Sequence, residues 1–91
     1  MLEVRYLNKF KRDVKHLQKQ GKDLQKLREV IELLANEQPL PEKYRDHKMT
    51  GNWNDFRDCH IEPDWVLIYR IEDNKLTLSL SRTGSHSELG L

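Results

Sequence analysis

The spacing of apolar residues changes twice along this chain, and each change marks a different kind of element. Residues 2 to 7 read as a short strand. From Asn8, placed to cap a helix running to about residue 20, Phe10, Val14 and Leu17 fall on one helical stripe. Gly21 ends that helix and Asp23 caps a second, in which Leu24, Leu27, Ile31 and Leu34 recur at spacings of three and four. Val30 and Leu33 widen the second stripe. Pro39 and Pro41 close the helical region, and residues 42 to 54 read as a loop with room for one short strand. Strands are then expected at about 55–61, 65–72 and 75–82. The run Trp65-Val66-Leu67-Ile68-Tyr69 is apolar on both faces, which suits a central strand. The order is β-α-α-β-β-β, or β-α-α-β-β-β-β if the loop holds its short strand, an α+β domain.

Strand geometry makes sharper expectations. Asp73-Asn74 suits a two-residue hairpin turn, which would pair Glu72 with Lys75 and set Trp65 opposite Arg82. Leu76, Leu78 and Leu80 would then form the core face, with Arg82 where apolar packing gives out. An arginine there is either a salt-bridged core edge or an anion binder. An even-numbered loop at Glu62-Pro63-Asp64 would put His60 on the face of Trp65 and Arg82, and an odd one would turn it away. Ser85 and Glu88 have capping-box spacing, so a last helical turn is expected to begin at His86.

Ninety-one residues, 36% of them apolar and 34% charged, fit one globular domain spanning 1–91. No apolar run is long enough to span a membrane, and Met1-Leu2-Glu3-Val4-Arg5 does not open like a signal peptide. A lone cysteine, Cys59, cannot form an internal disulfide, which points to the cytoplasm. The net charge of +1 conceals an asymmetry. Residues 1–30 carry nine Lys/Arg against four Asp/Glu, a net of +5, and the remainder carries −4. Lys9, Lys11, Arg12, Lys15, Lys19, Lys22 and Lys26 lie largely off the apolar stripes, giving the helical hairpin a basic outer surface suited either to phosphates or simply to solvent.

His47, His60 and His86 fall in loops or strand ends beside polar residues, while His16 lies on the surface of the basic helix. A metal held by His47, His60, Asp64 and His86 is conceivable, but no close-spaced ligand pair anchors it, so no metal or other cofactor is expected. Cys59 beside Ile61 reads as a packed residue rather than a nucleophile. Imidazoles, a carboxylate and an arginine suit cleavage of a phosphodiester by its own 2′-hydroxyl, which would make the site specific for RNA. Trp65 would stack on a base, with Trp53 a further candidate and Phe56 better read as core.

The strings Asp46-His47-x-Met49-x-Gly51-x-Trp53, Phe56-Arg57-Asp58-x-His60-x-Glu62-Pro63-Asp64-Trp65 and Arg82-Thr83-Gly84-Ser85-His86 resemble the YafQ branch of the RelE toxin superfamily. The resemblance covers nearly the whole chain. It implies a RelE-like, microbial-RNase-type fold and a type II toxin that enters the ribosomal A site and cuts mRNA there. A cognate antitoxin, the 30S subunit with its rRNA, and mRNA would be the partners. By position, His47, His60, Asp64, Trp65, Arg82 and His86 match the family's functional residues, with His86 as general acid, His47 or Asp64 as base, and Arg82 on the phosphate. Relatives often end on an aromatic residue shortly after the last histidine, where this chain has Leu89-Gly90-Leu91. Two rivals keep the scaffold and drop the chemistry: a ParE-like toxin that binds gyrase, and an inactive RNA- or ribosome-binding module.

Overall fold

The computed structural model describes residues 1–91. Strand β1 (Glu3–Tyr6) runs directly into helix α1 (Asn8–Lys19), and α2 (Leu24–Ala35) returns antiparallel to it. Asn8 is already helical; Leu7 occupies the cap position and donates no side-chain bond. The cause lies in the strand before it. The Leu7 N–H bonds the Leu80 carbonyl at 3.2 Å and keeps Leu7 extended, so Leu7 becomes the cap and the helix starts one residue earlier than expected, without a side-chain cap. Gly21, at φ +76°, ends α1 as its sequence position implied. Gly21 N–H bonds the Gln18 carbonyl and Lys22 N–H that of Leu17, the paired bonds that close a helix through a left-handed residue. Asp23 caps α2 by accepting from the Gln25 N–H at 3.0 Å.

Strands β2 (His47–Lys48), β3 (Arg57–Glu62), β4 (Trp65–Glu72) and β5 (Thr77–Gly84) complete one sheet in the order β1-β5-β4-β3-β2. β1 pairs parallel to β5, and every other pair is antiparallel. β4 is central, as its two-sided apolar run demands. The short strand in the 42–54 loop exists and forms the far edge.

Two registers differ from expectation. The β4–β5 turn is four residues long, pairing Glu72 with Thr77 rather than Lys75. Asp73, Asn74 and Lys75 all adopt positive φ, and Leu76 is left 67% exposed instead of joining the core. A bulge at Ser81 then shifts the pairing, so Arg82 lies opposite Ile68 and not Trp65. At the other hairpin Glu62 pairs with Trp65 across Pro63-Asp64, and a second irregularity between His60 and Glu62 sends Trp65 and His60 to opposite faces.

The two faces of the sheet are covered unequally. On the helix side, Phe10, Leu17, Leu27, Val30 and Leu34 pack against Cys59, Ile61, Trp65, Leu67, Leu78 and Leu80. The opposite face carries only Met49, Val66, Ile68 and Leu89 as buried apolar residues, with Trp53 and Phe56 at its margin. Leu89, from the segment after the last histidine, is 7% exposed and belongs to this cover. No helix is long and apolar enough to cross a membrane.

Candidate active site

Strand alternation explains why polar residues collect on the second face. Cys59 and Ile61 point to the helices, so Asp58 and His60 point away from them. Pairing then lines up His47 with Asp58, Asp58 with Ile68, and Ile68 with Arg82, one row across four strands. His60, opposite Val66, stands in the adjacent row. Past the end of β5, Ser85 and Glu88 form the expected reciprocal cap. Ser85 N–H donates to Glu88 Oε1 at 2.9 Å, and Glu88 N–H to Ser85 Oγ at 3.2 Å. These bonds hold Glu88 ionised, with its pKa lowered to about 2. The turn they fix delivers His86 beside His60, with ring centroids 5.3 Å apart; His47 lies 6.5 Å from His60 on the other side.

A carboxylate lies beside each outer histidine, and at His86 it fixes the ring. Asp64 Oδ1 accepts from the His86 backbone N–H at 3.1 Å and lies 2.6 Å from Nδ1, leaving Nε2 as the free ring nitrogen. These bonds lower the Asp64 pKa. His47 Nδ1 is 2.8 Å from the Arg45 carbonyl and 3.2 Å from Asp58 Oδ1. Asp58 is 7% exposed, and its Oδ1 has no hydrogen-bond partner. Burial pushes its pKa up against the opposing pull of His47, His60 and His86. His60 has no carboxylate at hydrogen-bond distance, and desolvation pushes its pKa down.

Arg82 shares this face by register, but its guanidinium forks onto Asp13 of α1, Nε to Oδ2 at 2.7 Å and Nη2 to Oδ1 at 3.2 Å. That pairing raises its pKa further. His47, His60, Asp64 and His86 are therefore brought together, with Arg82 in the same row. Trp65 is not. It is 1% exposed in the helix-side core and donates its indole N–H to Thr83 Oγ1, so it has no free face on which a base could stack. Cys59 is fully buried and its thiol pKa is pushed far up, which removes it as a nucleophile.

Among the basic side chains, Lys9, Lys11, Arg12, Lys15 and Lys19 are exposed on α1. Lys22 and Lys26 both reach Glu62, at 3.5 and 2.9 Å, and Lys22 shares a cavity with Asp64. They adjoin the site rather than a separate surface. Asp58 and Asp13 join the site without being among the residues expected from the sequence. Asp58 was recoverable from Asp58-x-His60, which puts both on one side of a strand. Asp13 had no local signal, because its partner is 69 residues away.

Comparison with known proteins gives a consistent picture. The profile of a family described as a bacterial toxin of a type II toxin–antitoxin system, YafQ, matches residues 2–90. The mRNA interferase toxin YafQ of Escherichia coli K12 is 43% identical over 88 residues, 96% of this chain and 94% of that protein. A metal-bound toxin from Helicobacter pylori superposes with a TM-score of 0.91 at 49% identity, covering 98% of this chain and 99% of the other. An E. coli DinJ–YafQ complex matches with a TM-score of 0.88 at 42% identity over 98% of each chain.

Proposed function

The chain belongs to the YafQ family of bacterial type II toxins, and from that premise we propose that it is an endoribonuclease that cuts mRNA in the ribosomal A site. The observation that carries the chemistry is the row of three imidazoles with a carboxylate behind each outer one. The substrate's 2′-oxygen attacks the adjacent phosphorus, and the bond to the 5′-oxygen breaks. The products are a 2′,3′-cyclic phosphate and a 5′-hydroxyl. His86, oriented through Nδ1 by Asp64, gives its Nε2 proton to the departing 5′-oxygen. Asp64 is committed to that pairing, so the base is a histidine. His60, which desolvation keeps neutral, is the better match to that task, with His47 beside it. Arg82 balances charge on the non-bridging oxygens.

The H. pylori relative is described as metal-bound. In this chain no three His, Cys, Asp or Glu side chains converge as a ligand set, and His86 Nδ1 is committed to Asp64. No step is routed through a metal. The E. coli relative is described in a DinJ–YafQ complex, which supports a cognate antitoxin as one partner; the 30S subunit and mRNA are the partners that the nuclease reading itself requires. Purified protein incubated with translating ribosomes should produce new mRNA ends, with 5′-hydroxyl and cyclic-phosphate termini. Termini bearing 5′-phosphate would overturn the internal-nucleophile chemistry. Intact mRNA together with inhibited gyrase relaxation would overturn the whole reading.

A further inference from the structure

Residues 13, 16 and 20 lie on one edge of α1, at the i, i+3, i+7 spacing of a single helix face. All three reach the site. Asp13 binds Arg82 through two guanidinium nitrogens and also accepts the Thr83 backbone N–H at 3.1 Å. His16 Nε2 lies 2.7 Å from Glu88 Oε2, and Gln20 Nε2 donates to the same oxygen at 3.3 Å. Glu88, through its other oxygen, closes the turn from which His86 projects.

We propose that this edge of α1 is a positioning strip for the reaction: Asp13 sets the guanidinium of Arg82, and His16 with Gln20 sets the Ser85–Glu88 turn that carries His86. The inference rests on the nuclease reading above, and none of the three residues touches substrate. The geometry shows why a strip is needed. β1 stops pairing at Tyr6–Leu80, so beyond it the outer edge of β5 has no strand beside it. The Ser81 bulge falls just there and would leave Arg82 free to swing. Asp13 accepts the N–H of Thr83, which no neighbouring strand pairs, and takes two of the five guanidinium donors. Three donors remain for a phosphate. An Arg–carboxylate fork fixes direction as well as charge, so the carboxylate acts here as an orienting group.

A salt bridge that only held α1 to the sheet would have the same distances, so the test must ask through which residue Asp13 acts. Single-turnover cleavage of ribosome-bound mRNA should be compared for Asp13→Asn, Arg82→Ala and the double variant. A positioning role predicts a fall in maximal rate of about 100-fold for Asp13→Asn, with the half-saturating ribosome concentration unchanged. That loss should largely disappear in the Arg82→Ala background, and Asp13→Glu should recover part of it. Glu88→Gln should likewise lose its effect in a His86→Ala background. Equal losses for Asp13→Asn with and without Arg82, or none at all, would overturn the proposal. A measurement on the unaltered protein covers the case of a variant that does not fold. The Arg82 Nε–H should give a slowly exchanging NMR signal, and exchange as fast as that of exposed arginines would also overturn the strip. If the unaltered protein cleaves no mRNA, the nuclease reading fails while the exchange rate still tests the geometry.

Discussion

The two faces of one sheet are built from alternate residues of the same strands, yet they have opposite characters. The helix-side face is sealed by two amphipathic helices and contains fourteen buried apolar residues in one cluster. The other face has four, and into the gap fall Asp58 and His60, with Arg82 placed on that face by register. Full cover excludes charge, because burying an unpaired ion costs several kcal/mol. Thin cover has a different effect. It desolvates Asp58 enough to raise its pKa and His60 enough to lower its own, while leaving His60 half-buried rather than sealed. Leaving one side of the sheet under-packed thus gives a small protein titratable groups with shifted pKa values.

The largest effect should come from the thinly covered face. His86→Ala removes the proposed proton donor, and single-turnover cleavage should fall by roughly 100- to 10,000-fold. The side chain is partly exposed and its partner Asp64 is largely so, hence the denaturation midpoint should hardly move. Next comes the sealed face. Trp65→Ala empties a fully buried site and removes the indole donor to the Thr83 hydroxyl, which keeps its own bond to the Val66 carbonyl, so unfolding free energy should drop by about 3–5 kcal/mol. Activity per folded molecule should change far less, since the indole lies behind the sheet from His60. A stable Trp65→Ala protein with abolished RNA binding would restore the stacking role the burial argues against.

Legibility in the sequence follows the same division. Both helices, the central strand and the capping box at Ser85 and Glu88 were readable, because each is fixed by neighbours within a few residues. The register of β5 was not. Asp73-Asn74 has the chemistry of a two-residue turn, but three consecutive positive-φ residues lengthen it, and the Ser81 bulge then undoes the count. The histidines were found as residue types in a family motif. Their grouping depends on pairing across β2 and β3, and on a turn that begins after β5. Trp65 shows the converse failure: a motif residue read as facing the substrate stays on the core face, while the bulges in β3 and β5 turn His60 and Arg82 away from it.

Outside both faces lie the basic helices. Replacing Lys9, Lys11, Lys15 and Lys19 together by glutamine should alter stability by no more than about 0.5 kcal/mol. Ribosome binding should weaken by about tenfold, and the slope of log affinity against log salt should flatten by about 3 if all four meet phosphates. Lys22 and Lys26 are excluded from the set because both already pair with Glu62. Measuring affinity at several potassium concentrations checks this. An unchanged slope in the folded variant would leave these lysines with no partner but solvent.

Asp58→Asn is the smallest change and bears most directly on the contrast between the faces. If the second face holds charge at the expense of stability, removing the charge should make the protein more stable near neutral pH. The sign follows from linkage. The folded-state pKa of Asp58 is raised, chiefly by burial, so its ionisation is harder in the folded than in the unfolded chain. The stability this group contributes is present in full below the ordinary carboxylate pKa, about 4, and is lost as pH rises through the raised value. The native protein and Asp58→Asn should therefore have similar stability at about pH 3, with the variant ahead above the carboxylate range. His60 adds little compensating charge at neutral pH, because desolvation lowers its own pKa. Chemical denaturation across this pH range measures the difference. A variant less stable than the native protein at neutral pH would mean that His47 and its neighbours repay the burial of Asp58 in full, and the charged face would then contribute to the fold as well as to the chemistry.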